Sequence, residues 1–270
     1  MKNLKQRYRY SLILLKQLVK TDFMIRYQNS VLGYLWSLLR PLFLFCILYV
    51  VFVRILKTGG DVPHFGVYLL LGIVLWNYFV EVTTGSVGSI VGKGDLMRKI
   101  NFPRYVVVLA GSVSALINLL FNLTVVAFFM WLGHAEPNRF ALFFPFVVAE
   151  LFFLALAVGF ILSAAYVRFR DINFIWEVLI QVGFYATPIL YAFSYITKKS
   201  VLLGKIVMLN PLAQIIQDAR HGLVTDKTTT TAGIFGNHFA YAIPFGIVIV
   251  LGIISVLFFR RVSPDFAENV

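Results

Sequence analysis

The sequence is poor in charge, in cysteine and in catalytic signatures, and each shortage excludes a class of protein. Only 13% of its 270 residues are charged, whereas soluble domains carry about 25%. Hydrophobic residues make up 60%, aromatics 16%, and the mean hydropathy is +0.84. A disordered chain is excluded, and a soluble domain could not cover so much apolar surface. The chain therefore reads as an integral membrane protein. One cysteine, Cys46, excludes an intramolecular disulfide and a multi-cysteine metal site. Its apolar neighbours give it a packing role. His64, His134, His221 and His238 are far apart, without metal-ligand spacing. The first 30 residues interleave Lys and Arg with leucines and lack the apolar core of a cleavable signal peptide. No nucleophile elbow, HExxH run or close carboxylate pair occurs. Gly92-Lys93 resembles the end of a phosphate-binding loop. However, Val87 stands where that loop needs glycine, and Gly94 follows the lysine in place of Ser or Thr. ATP-driven work would need a second chain to bind the nucleotide.

What the sequence does have is long apolar runs. A bilayer core takes about 20 residues of helix. Six segments qualify: Tyr34–Leu56, Phe65–Ile90, Tyr105–Leu132, Ala141–Val167, Ile172–Ile196 and Phe239–Phe259. The expected fold is all-α, with six transmembrane helices in a single domain over 34–270, preceded by an N-terminal arm over 1–33. An even number of spans puts both termini on one side. Fifteen of the 24 basic residues lie on that side, whereas the two short opposite loops offer Lys57 and Arg139. The positive-inside rule makes that side cytoplasmic. The basic balance then reports topology and anionic-lipid contact, not nucleic acid.

In the N-terminal arm, Tyr8, Leu12, Leu15, Val19 and Phe23 share an arc of a helical wheel, flanked by Arg9, Lys16 and Lys20. Leu14 and Leu18 fall on another face. The arm reads as an amphipathic helix in the cytoplasmic interface, either as an anchor alone or as one that also touches a partner. The connector Gly92–Arg104 reads GKGDLMRKINFPR. Asp95 can cap a short helix with Leu96, Met97 and Ile100 on one side, Arg98 and Lys99 on the other, and Pro103 as its stop. Such a helix either fills a partner's groove or lies as a charged turn on the membrane. The long connector Thr197–His238 is too apolar for a solvated loop. Two short helices broken at Asn210-Pro211 fit it, as a re-entrant hairpin that gates an outer exit or as a cap on the bundle.

Glu81, Glu150 and Glu177 lie within spans, where interhelical hydrogen bonding or a wet cavity wall outranks an ion site. Asn118 and Asn122 share a face of the third span, which suits helix–helix bonding. Trp36, Trp76, Tyr78, Tyr185 and Tyr191 belong either to interfacial belts or to a passage where sugar rings stack.

Five motifs in order then resemble one family. Residues 26–41, RYQNSVLGYLWSLLRP, are similar to the start of the membrane subunits of ABC-type polysaccharide exporters. Asn101-Phe102-Pro103-Arg104, Phe169-Arg170-Asp171-Ile172, Ala186-Thr187-Pro188-Ile189-Leu190-Tyr191 and Leu209-Asn210-Pro211-Leu212 match its later motifs. The resemblance implies a permease in the bacterial cytoplasmic membrane, paired with a second copy and with two copies of an ABC ATPase that binds ATP and Mg. No cofactor or metal is expected in this chain. The cargo would be a lipid-linked polysaccharide, with teichoic acid slightly ahead of O-antigen. Asp95, Leu96, Arg98, Lys99, Phe102 and Arg104 would dock the ATPase, supported by Arg168, Arg170 and Asp171. Arg26 and Arg40 would meet the headgroup, the five aromatics would line the passage, and Asn210 and Pro211 would form the outer gate. Three alternatives remain: an ABC permease for another lipid, a drug or haem; a stand-alone membrane transferase; and an ion-coupled transporter using the three glutamates.

Overall fold

A computed structural model describes residues 2–27, 33, 35–55, 62–94 and 103–266, and every regular element among them is helical. In chain order these are α1 (Lys2–Tyr27), α2 (Leu35–Tyr49, continued by a π-helical turn over Val50–Ile55), α3 (Phe65–Val87), α4 (Tyr105–Leu132), α5 (Phe144–Arg168) and α6 (Ile172–Ala186). Four short helices follow: α7 (Ser194–Lys199), α8 (Val201–Met208), α9 (Pro211–Leu223) and α10 (Thr231–Phe235). α11 (Ala242–Val262) closes the series.

Five stretches are long and apolar enough to cross a membrane: Leu35–Ile55, Phe65–Val87, Tyr105–Leu132, Arg139–Arg168 and His238–Val262. They agree with five of the six expected segments to within a few residues. The fifth expected span is corrected. α6 has 15 residues and stops at Ala186 instead of running to Ile196. Thr187 precedes Pro188 and takes extended backbone, φ −88° and ψ 137°, as the clash with the proline ring demands.

α3 is the central post. Of its most apolar window 78% is buried, against 6% for α2. α4, α5 and α6 pack around it, and α11 packs on α5. Close approach between α3 and α5 depends on Gly159, where a Cβ would sit 2.6 Å from Ser86 Oγ. The break expected at Asn210-Pro211 is present. α8 ends at Met208, and Asn210 caps α9 by accepting a hydrogen bond from Leu212 N at 3.0 Å. Pro211 occupies the first turn, where a missing N–H costs nothing.

α1 is a long helix whose packing face straddles the expected arc and the neighbouring one. Leu18 is buried against Val106 and Ala110 of α4, with Leu14, Leu15 and Val19 around it, while Leu12 stays 64% exposed. Leu15 and Val19 of the expected arc share the packing face with Leu14 and Leu18, because α4 supplies both with an apolar partner. The side chains of Tyr8 and Phe23 lie outside the described residues.

Candidate functional site

Two ends of the helix bundle carry the side chains that sequence pattern singles out. At the first, the ends of α3, α5 and α11 meet the start of α4. Ile90, Val108, Ala164, Val167, Phe259 and Phe266 form a small core there. Lys93 donates to Asp22 of α1 at 3.0 Å, which ties the N-terminal helix to the start of the second–third connector. Past that connector, Arg104 lies with its Cζ 5.8 Å from the centroid of Phe266. Arg168 is stacked beside Phe169, and Arg170 lies 5.0 Å from the ring of Tyr166. Arg168, Arg170 and Asp171 are exposed at this same end. The fold thus brings Arg104 and the 168–171 corner together on one face. Asp95, Leu96, Arg98, Lys99 and Phe102 lie outside the described residues, as does the side chain of Arg26.

At the opposite end, α9 is inserted among the spans. Arg220 is 0% exposed. Its guanidinium stacks on Tyr68, with Cζ 3.6 Å from the ring centroid, and donates to Tyr68 O at 2.9 Å, Ile189 O at 2.8 Å and Pro188 O. The carbonyls of Pro188 and Ile189 are open to it because α6 has just ended. One buried cation therefore joins α9, α3 and the break after α6. Gly72 faces it, since a side chain there would collide with the guanidinium. Along the same helix, Gln214 Nε2 donates to Asp218 at 2.6 Å and to Glu150 of α5 at 3.3 Å, and Tyr241 OH donates to Asp218 at 3.1 Å. Burial pushes the Asp218 carboxyl up to about 6, against the opposing pull of its Gln214 and Tyr241 hydrogen bonds. Asn138 clamps the far end of α9, donating through Nδ2 to His221 O at 2.7 Å.

Residues 13–224 match the family described as ABC-2 type transporter. The chain belongs to that family. Two curated proteins from Klebsiella pneumoniae, each named O-antigen export system permease protein RfbA, are 28% and 27% identical to it. Each alignment covers 98% of this chain and 99% of the relative. A protein of the same name from Myxococcus xanthus is 28% identical over 78% of this chain and 80% of its own length. The family read from the five motifs is borne out, and the chain is a multi-pass membrane protein.

Within this ABC-2 permease the other expected residues are divided. Trp36 and Arg40 are exposed on α2, and Tyr185 is 69% exposed at the end of α6. Tyr191 is half-buried and donates its hydroxyl to Tyr185 O at 3.1 Å. Trp76 and Tyr78, expected along a passage, are enclosed by the chain's own helices at 5% and 2% exposure. Phe79 and Phe184 flank the Trp76 indole, and a Cβ at Gly183 would lie 3.0 Å from it. Asn210 is exposed and Pro211 buried. Glu81 accepts from Asn118 Nδ2 at 2.8 Å, an α3–α4 bond of the expected kind. Glu177 instead accepts from Asn173, one turn earlier on the same helix. Asn122 donates to Asn118 O, so its amide stays within α4.

Sequence reasoning missed Arg220, Tyr68, Gln214 and Asp218, and Gln217, whose Nε2 donates to Tyr68 OH at 3.3 Å. A signal was present. Gln214, Gln217, Asp218 and His221 fall at i, i+3, i+4 and i+7, a polar stripe on a helix whose other positions include Leu212, Ile215, Ile216 and Ala219.

Proposed function

We propose that this chain is the membrane subunit of an ATP-driven exporter that moves a lipid-linked polysaccharide of the O-antigen class from the cytoplasmic to the outer side of a bacterial inner membrane. The observation that carries the reading is similarity over nearly the whole length to permeases named for O-antigen export. The same similarity puts O-antigen ahead of teichoic acid in this reading. In this reading ATP and Mg are bound by a separate ABC ATPase, the partner that membership of the ABC-2 family implies. That subunit would dock on the face that holds the second–third connector, Arg168, Arg170 and Asp171, and both termini would lie on this cytoplasmic side.

The working unit contains two copies of the chain. α6 has no buried residue, and Phe174, Ile175, Val178, Leu179 and Val182 are all more than half exposed on it. At 15 residues it is shorter than the roughly 20 that a bilayer core takes, so a second chain is the natural cover for it. A passage between copies would use the exposed Trp36, Arg40 and Tyr185, with Tyr191 behind them. Trp76 and Tyr78 would shape it from within the protomer. The connector around Asn210 and Pro211 would close its outer end. The chain moves cargo and makes no bonds. ATP supplies the free energy, and the permease supplies different affinities for the cargo in its inward-open and outward-open states.

The test is co-purification with a candidate ABC ATPase, followed by ATP hydrolysis with and without lipid-linked O-polysaccharide. A two-plus-two complex stimulated by the polymer is the expected result. A complex indifferent to polymer but stimulated by a small lipid or drug would retain the family and remove the cargo. Loss of export in both Arg26→Gln and Arg40→Gln, with retention in the Lys variants, is expected if these residues meet the headgroup.

A further inference from the structure

Both described ends of the second–third connector rest on one small core, and a residue beyond the last span completes it. Ile90, just before the connector, and Val108, in the first turn after it, are buried with Ala164 and Val167 of α5 and Phe259 of α11. After α11 the turn Ser263–Asp265, with Pro264 in its first positions, redirects the chain. Proline's fixed φ and missing N–H favour that change of course. The turn delivers Phe266 into the same core at 0% exposure. The Phe266 ring meets Phe259 edge to face, with centroids 5.5 Å apart and planes at 81°. Arg104, one residue past Pro103, holds its guanidinium over the Phe266 ring, 5.8 Å from the centroid. The connector's start carries a second tie, the Lys93–Asp22 ion pair at 3.0 Å. Burying that ring and stacking a cation on it concentrates binding free energy where the connector begins and ends.

We propose that Phe266 is a positioning residue that fixes both ends of the second–third connector against α5 and α11. This rests on the reading of that connector as the ATPase-docking element. With Phe266 seated, a displacement imposed on the connector reaches α3, α4, α5 and α11 together instead of being taken up locally. Arg104 then serves the anchor, because its guanidinium is engaged on the ring.

Limited trypsin digestion of the purified full chain, reading cleavage after Arg98 and Lys99, tests the anchor without any partner. Phe266→Ala is expected to speed that cleavage on the order of tenfold. Arg104→Gln is expected to speed it roughly threefold, since only the cation on the ring is lost. Phe266→Leu should return the rate toward wild type, while cleavage after Lys198 and Lys199 in the opposite connector stays constant. An unchanged rate in Phe266→Ala overturns the proposal, and so does an equal rise at both connectors, which marks general unfolding. In a complex with an ABC ATPase, Phe266→Ala is expected to leave ATP hydrolysis near wild type and lower polymer exported per ATP severalfold. An unchanged ratio overturns the positioning role. Failure of the wild-type chain to bind any ABC ATPase would defeat the functional reading instead, and the tryptic arm keeps the two failures apart.

Discussion

Arg220 is a buried cation held by carbonyl oxygens and an aromatic face, with no carboxylate among its hydrogen-bond partners in the described residues. The arrangement uses the fan of guanidinium donors, which a lysine ammonium cannot reproduce at three diverging acceptors. Arg220→Lys is therefore expected to cost about 2 kcal/mol, and Arg220→Ala about 3–5 kcal/mol, because carbonyls of Tyr68, Pro188 and Ile189 lose their donors in a dry site. Thermal unfolding in detergent measures both. Gly72→Ala should behave like Arg220→Ala, since its methyl would occupy the guanidinium's place. Gly246→Ala on α11, whose Cβ meets nothing within 4 Å, should be neutral or stabilising by up to about 1 kcal/mol. Asp218, on the long connector, gives a pH signature. Its carboxyl is raised to about 6 in the folded chain, so between about pH 4 and 6 the folded state holds the extra proton. Stability contributed by this group is present below that window and is lost as pH rises through it. Asp218→Asn should flatten the change in melting temperature across the same window; an identical pH profile in the variant would show that Asp218 is not its source.

At the scale of elements, the contact between α3 and α5 is set by a glycine and a serine. A Cβ at Gly159 would come within 2.6 Å of Ser86 Oγ, and the Ser86 hydroxyl is itself turned to Val82 O at 2.7 Å. Gly159→Leu is expected to force these helices apart and to cost about 1–3 kcal/mol or more, as overpacked cores do. Loss of monodisperse protein on size-exclusion chromatography would report it. Five spans, the break at Asn210-Pro211 and the helical character of the N-terminal arm were legible from hydropathy and turn residues, because each depends on neighbours within one or two turns. The end of α6 was misplaced by ten residues, although a local mark was present. Thr187-Pro188 marks it, and apolar composition beyond the proline obscured the mark. The packing face of α1 was not legible. Two apolar arcs lie side by side on its wheel, and only the presence of Val106 and Ala110 on α4 draws Leu14 and Leu18 in beside Leu15 and Val19.

At the scale of the whole molecule, α2 and α6 are nearly uncovered while α3 is enclosed. A second copy set against α6 predicts a cross-link. With Cys46 replaced by serine to remove the exposed native thiol, Val178→Cys is expected to give a disulfide-linked dimer on mild oxidation in membranes. A cysteine placed at the exposed Ile253 of α11 should not. Cross-linking at α11 alone would move the interface to the other side of the molecule.

Composition and local pattern by themselves determined that this chain lives in a bilayer, where five of its spans run and where its long connector breaks. These properties follow from transfer free energy and backbone sterics, which act over a few residues at a time. Only the tertiary structure decided which polar groups meet. Arg220 bonds across 152 and 31 positions of sequence, and Gln214 reaches Glu150 across 64. Phe266 returns to a core that includes Ile90. No periodicity encodes such pairs. They exist because a buried donor must find whichever acceptor the packed helices leave open, and the early end of α6 left two carbonyls beside Arg220.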